Sequence, residues 1–390
     1  MDEAFVTKEV VRWARERSGV SEAQLAAALN AKPEQVRAWE SGTSFPPFGK
    51  AQLLAQKLHI PFGYLFLSDP PAEYTPIPDL RTLDPDAPRK PSPEFLDLLN
   101  DVLVKQLWYH ENQQELGESP LSFVGHFRMS EGVQRVAASI REHLQLEDLR
   151  RHASSWDEYL RLLVRAAERL GILVMRSGIV GGNTRRKLSV DEFRGFAISD
   201  SLAPLVFING RDPLVAQIFT FSHEVAHIWI GESGISNPDP AKLPVSQRNE
   251  IERFCDSVAA ETLVPAVDFL RKWEGASDGQ LAKLATHYRV SGMVIIRRAF
   301  ELKRISQQPF YRLVAEEKQR QENRVLARAE SGGGNFYNTL PSRNSAKLTG
   351  AILESLQRGR LAHLEAARLL GIKTATLSAL LKGSGGRSGR

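Results

Sequence analysis

The segment Phe219–Trp229, FTFSHEVAHIW, constrains this chain more than any other stretch of it. Phe219, Val225, Ile228 and Trp229 supply an apolar stripe at helical spacing, which predicts a buried helix. His223 and His227 are four residues apart, so both imidazoles lie on one side of that helix and can share a metal ion. Glu224 adjoins the first histidine and is placed to act as a general base at the metal. A bare pattern of this kind also arises on ordinary helices with surface histidines, so a third ligand must be found.

Glu250, Glu252, Asp256 and Glu261 lie downstream on a second helical stretch that breaks at Pro265. Glu252 and Asp256 are spaced i, i+4, so Glu252 can bind the metal while Asp256 orients a histidine from behind. Glu250 best fits a solvated helix face. Three protein ligands leave zinc the open position that hydrolysis requires. Imidazole and carboxylate suit zinc, with manganese as the alternative.

At 390 residues the chain is too long for one core of ordinary size, so several domains are expected. A single cysteine, Cys255, excludes an internal disulfide framework and fits a reducing compartment. No apolar run approaches the ~20 residues of a spanning helix. Asp2 and Glu3 stand where a signal peptide would be basic, so the expectation is a cytoplasmic protein with no membrane partner.

The pattern divides the chain into residues 1–69, a set of five short helices; a proline-rich linker, 70–92; and a helical region, 93–155. A mixed α and β region follows over 156–305, then a helix with a Gly-rich linker over 306–344, and a helical module over 345–390. In the first of these Ser21 is a candidate N-cap with Gln24 as its capping-box partner, and Pro33 opens a third helix that ends near Gly42. Between Pro70 and Pro93, eight of 24 residues are proline, which reads as an extended linker or an arm laid on a surface. Strand-like runs are Ile172–Met175, Phe193–Ile198 and Leu205–Ile208.

Taken together, FTFSHEVAHIW and EIERFCDSVAAETLVP (Glu250–Pro265) resemble the ImmA/IrrE-type metallo-endopeptidases. In the second segment Glu252 matches the family's glutamate, followed by Cys255, Asp256, Ala259, Ala260, Leu263 and Pro265. GFAISDSLAPLVFING (Gly195–Gly210) is similar to the two strands that precede the family's active-site helix. The resemblance extends over about residues 156–300 and implies a zincin-like domain with a small mixed sheet. It implies His223, His227 and Glu252 as zinc ligands, Glu224 as base, and metal-activated attack of water on a peptide bond. It also implies that Leu205–Ile208 is an edge strand adding an extended peptide. A second electrophile for the oxyanion is sought in His287 or Tyr288, the alternative being a packed tyrosine and a surface histidine.

Ser18–Gly42 is similar to the Xre-type helix-turn-helix: Leu25, Ala26, Leu29, Val36, Trp39 and Glu40–Gly42 hold that family's core and closing turn. The resemblance implies a recognition helix Pro33–Glu40 that offers Glu34, Gln35 and Arg37, with Lys32 beside them, to DNA. Glu22 sits where the family often has a glutamine. Residues 1–70 hold eight Lys/Arg and eight Asp/Glu, whereas residues 301–390 hold sixteen and seven. Phosphate attraction therefore favours the C-terminus. There Leu361–Lys382 has helix-turn-helix rhythm, and a plain hairpin packed on the preceding domain is the alternative.

The expected protein is multidomain and mostly α with an α+β core. It reads as a transcriptional regulator with a zinc endopeptidase domain that cleaves or controls a partner regulatory protein such as a repressor. The alternative is a non-catalytic DNA-binding regulator or antitoxin that neutralises a partner toxin. A homodimer is a further expectation.

Overall fold

The computed structural model describes residues 3–72, 77–78, 91–236, 250–328 and 336–384. Most of the proline-rich linker and the whole Ser331–Asn335 hinge lie outside the described residues. What is described forms two compact units, and the division falls inside a helix near residue 97.

The N-terminal unit is built from α1 (Lys8–Arg17), α2 (Glu22–Ala28), α3 (Pro33–Ser41) and α4 (Phe48–Lys57). The capping box forms: Ser21 Oγ accepts from the Gln24 amide, and Gln24 Oε1 accepts from the Ser21 amide at 2.9 Å. Gly42 ends α3 at a φ of 75°, a conformation glycine adopts without the Cβ penalty. The fourth helix begins at Phe48, with Pro47 at its N-cap. The fifth element is a 3₁₀ helix, Phe62–Phe66, and not an α-helix. Leu25, Leu29, Val36, Trp39 and Leu54 fill one apolar core. Glu40 is buried beside that core and neutralised by Arg15, whose Nε and Nη2 donate at 2.6 and 2.9 Å.

The chain continues through α5 (Pro93–Glu115), α6 (Val133–Leu144), α7 (Leu146–His152) and α8 (Trp156–Leu170). The strands are β1 (Leu173–Ser177), β2 (Ile179–Val180), β3 (Asn183–Lys187), β4 (Gly195–Ile198), β5 (Leu205–Asn209) and β6 (Gly234–Ser236), with α9 (Leu214–Ile230) before the last. Four of them make a mixed sheet in the order β1-β5-β4-β6, with β1 parallel to β5 and the other pairs antiparallel. The short β2–β3 hairpin stands apart.

This order corrects one expectation. Leu205–Ile208 is not an edge strand: β5 pairs with β1 on one side and β4 on the other. Its five residues are all buried, the pattern of an interior strand covered on both faces. The sheet's edges are β1 and β6.

Below the sheet α9 is the central helix, packed on β4 and β5 and flanked by α6, α8 and α10 (Glu250–Leu263). Every residue from Gln217 to Ile230 is buried. Trp229 anchors its C-terminal end: the indole stacks on Phe123 at 4.6 Å and donates to Ser139 Oγ at 3.1 Å. Gly231 closes the helix at a φ of 76°, where a Cβ would stand 3.0 Å from Gly125 Cα. The turn therefore demands glycine for both conformation and space.

Beyond α10 come α11 (Ala266–Lys272), α12 (Asp278–Tyr288), α13 (Gly292–Glu301) and α14 (Gln307–Arg328). The C-terminal module is α15 (Phe336–Asn344), α16 (Ala346–Gln357), α17 (His363–Leu370) and α18 (Thr374–Ser384). It is docked on the domain that precedes it, with α15 and α16 packed against β1. Glu168 of α8 caps α16: its Oε1 accepts from Ser345 Oγ at 2.5 Å and from the Ala346 amide at 2.7 Å. A carboxylate there also meets the positive end of the helix dipole. Buried Lys105 donates to Asn344 Oδ1 at 2.9 Å, and Ser355 donates to Asn112 Oδ1 at 3.0 Å. Among the described residues no helix is long and apolar enough to cross a membrane.

Candidate metal centre

Two helices meet to build the centre. One turn of α9 separates His223 from His227, and α10 brings Glu252 up against both. His227 Nε2 lies 3.2 Å from His223 Nε2 and 3.2 Å from Glu252 Oε1, while His223 Nε2 lies 3.6 Å from Glu252 Oε2. Ligands about 2.0–2.1 Å from a tetrahedral zinc are separated from one another by about 3.3–3.4 Å. The three donors therefore converge at the spacing a single ion requires. Two imidazole nitrogens facing each other at this distance gain little without a shared cation. The residues fit a metal.

Behind the donors, His223 Nδ1 lies 3.0 Å from Asp256 Oδ1, one turn along α10 from Glu252. A carboxylate at that distance can hold the ring with Nε2 toward the shared centre. Burial lowers the basicity of His223, but Glu252 and Asp256 more than offset it and raise its pKa well above the ordinary value. For His227 burial prevails and the pKa falls. Burial pushes Glu252 up, yet the two histidines outweigh it and hold the carboxyl below the usual range.

Glu224 is fully buried beside this group. Burial raises its pKa far above that of a free carboxyl, and the nearby acids Glu252 and Asp256 add to the shift. Gly195 of β4 leaves room for it, since a Cβ there would stand 2.7 Å from Glu224 Oε1 and 2.9 Å from the Phe207 carbonyl. The glycine keeps the strand close over the carboxylate.

Sequence reasoning missed Ser236. It is fully buried at the end of β6, and its hydroxyl donates to Glu252 Oε1 at 3.1 Å and lies 3.4 Å from His227 Nε2. No residue pattern announces it, because a three-residue strand carries too little periodicity to be read.

The other candidates lie elsewhere. Tyr288 is buried and its hydroxyl donates to Asp268 at 2.8 Å; His287 lies 3.7 Å from the same carboxylate. Both belong to a polar cluster on α11 and α12 with Lys272, the packed-tyrosine alternative, and neither contacts the donor group among the described interactions. Glu261 is tied to Arg298, and Glu250 is exposed. Lys32, Glu34, Gln35 and Arg37 are exposed on the N-terminal unit. Arg37 Nε is 2.9 Å from Glu22, and Gln35 Oε1 accepts from the Lys32 amide at 3.0 Å.

Comparison with known families agrees with this layout. Residues 167–300 match the family model of the IrrE N-terminal-like domain, from the end of α8 through α13. Residues 11–65 match the helix-turn-helix family, from α1 into the 3₁₀ element. No curated protein matches the chain. A helix-turn-helix of this type points to a DNA-binding regulator, and the IrrE-like region to a metallopeptidase-like domain. The chain therefore joins an N-terminal Xre-type helix-turn-helix domain to an IrrE-like peptidase-family domain.

Proposed function

We propose that the chain is a transcriptional regulator whose IrrE-like domain is a zinc-dependent endopeptidase acting on a partner regulatory protein. The observation that carries this reading is the convergence of His223, His227 and Glu252 at 3.2–3.6 Å beside buried Glu224. When bound, zinc would supply Lewis acidity toward a peptide carbonyl and make water a nucleophile near neutral pH. Glu224 would take the proton of the attacking water and return it to the leaving amine. Asp256 orients His223, and Ser236 orients Glu252. Gly195 lets β4 lie close over the base.

Substituting Glu224→Gln keeps the shape of the site and removes the base, so metal should stay bound while cleavage falls by on the order of 10²–10⁴-fold. Cleavage is read as shortened fragments of proteins encoded beside this chain and expressed with it. If wild type and variant control their partner identically, with no fragment from either, the enzyme reading fails.

One observation favours a second reading. His223, Glu224 and His227 have no exposed surface at all, as suits a non-catalytic regulator or antitoxin whose peptidase-like domain only binds a partner toxin. Under that reading the Glu224→Gln protein neutralises the toxin as well as wild type does.

A further inference from the structure

The mixed sheet has two edges, and they are treated differently. At β1, helices α15 and α16 pack against the strand. At β6, the strand itself ends in the metal centre, because Ser236 contacts Glu252 and His227. The residue before it, Ile235, is opposite Phe196 of β4. Ser236 gives its carbonyl inward to the Arg194 amide, so the main chain of Ile235 faces outward, away from β4. An outward amide on an edge strand is where an extended peptide adds.

That amide is already taken. The Ile235 N–H donates to the Pro78 carbonyl at 2.9 Å, and Ile77 beside it is only 6% exposed. Both residues belong to the proline-rich stretch between the helix-turn-helix and the peptidase-like domain. Pro78 lies 157 positions before Ile235 in sequence, so this is no local turn. The contact is narrow. Proline has no N–H, so residue 78 accepts a bond and in antiparallel addition can return none. A competing peptide with an ordinary residue there can make both bonds, so the resident segment is displaceable.

We propose that β6 is the surface on which an extended peptide docks beside the metal centre, and that Ile77–Pro78 occupies it as the chain's own competitor. The resting site is thereby held shut, consistent with the full burial of Glu224 and both histidines. The partner that opens it is an extended segment with an apolar side chain at the position Ile77 fills and a free N–H at the next residue. Calling that partner a substrate rests on the endopeptidase reading; the occupancy of β6 does not.

The test uses the full chain and the variants Ile77→Asp and Ile77→Ala. The probe is a fluorescein-labelled synthetic peptide of residues 72–82. Removing a buried isoleucine contact should speed amide exchange at residues 234–236 by about tenfold or more in Ile77→Asp, with Ile77→Ala between it and wild type. The labelled peptide should bind Ile77→Asp about tenfold more tightly than wild type, whose edge is filled. Circular dichroism checks that each protein is folded, and Ile77→Ala alone decides the matter if Ile77→Asp is not. Equal exchange at 234–236 in wild type and folded variants overturns the proposal, as does equal peptide binding. Neither readout needs turnover, so both can be taken in a Glu224→Gln background. If the Ile77 variants open the edge and, with Glu224 intact, still cleave no co-expressed neighbour, this inference stands and the endopeptidase reading fails.

Discussion

The two units of this chain handle buried charge in opposite ways. In the N-terminal unit the buried acid, Glu40, is answered by Arg15 within the protein, beside an apolar core. Around α9 the fully or almost fully buried groups His223, Glu224, His227 and Glu252 answer one another only in part. Among the described residues neither Glu224 oxygen has a hydrogen-bond partner, and two imidazole nitrogens face each other at 3.2 Å. Burying polar groups without partners costs free energy, and proteins accept that cost at functional sites. The contrast separates a region whose buried charge is answered within it from one whose donors could hold a metal ion.

The strongest way to break this contrast is to remove one donor. In His227→Ala the metal content should fall from about one ion per chain to a small fraction, since a tetrahedral site with two protein ligands is no longer closed enough to hold zinc. Elemental analysis of the purified full-length protein gives the answer. Full occupancy in the variant would mean that the cluster of donors is not the metal site.

A smaller effect tests the other side. Leu54 is completely buried in the N-terminal core. Truncating it to alanine should cost about 2–5 kcal/mol of stability by removing apolar contacts and leaving a cavity. The loss should be confined to the N-terminal unit, leaving metal stoichiometry as in wild type. If Leu54→Ala releases metal along with its unfolding transition, the two units do not fold separately and the contrast is false.

Both sides were legible in the sequence to different depths. The helix-turn-helix could be read almost element by element, because its helices carry apolar stripes and local start and stop signals: Ser21 with Gln24, Pro33, and Gly42. The donors on α9 and α10 could be read for a similar reason, since a fixed i, i+4 spacing on a helix is a spatial statement. What the sequence could not yield is sheet order. Leu173–Ser177 and Leu205–Asn209 are both short and buried nearly throughout, and nothing in either says which has a neighbour on both sides. Ser236, Gly195 and Pro78 matter only through residues far away in the chain. The docking of the C-terminal module was undecidable from its own pattern too, because it depends on Glu168 reaching Ser345.

The smallest expected effect concerns DNA, where the N-terminal unit and the C-terminal module differ most. On the first, the α3 cation Arg37 is drawn to Glu22 at 2.9 Å. On the second, Arg360, Arg368 and Lys373 are exposed in a stretch with more than twice as many cations as acids. Arg37 and Glu22 are both partly exposed, so the pair contributes little to stability and can be opened without harm. Glu22→Gln should free Arg37 for a phosphate. Each phosphate neutralised steepens the fall of log affinity with log salt by about 0.9. Titrating a non-specific duplex at several salt concentrations should therefore show a slope steeper by about that amount in Glu22→Gln than in wild type. Deleting residues 336–390 should flatten the slope by more than this, because several exposed cations leave together. An unchanged slope in Glu22→Gln would show that α3 does not approach phosphate at all. In that case any affinity for DNA rests on the C-terminal module, and the N-terminal unit is a surface for protein.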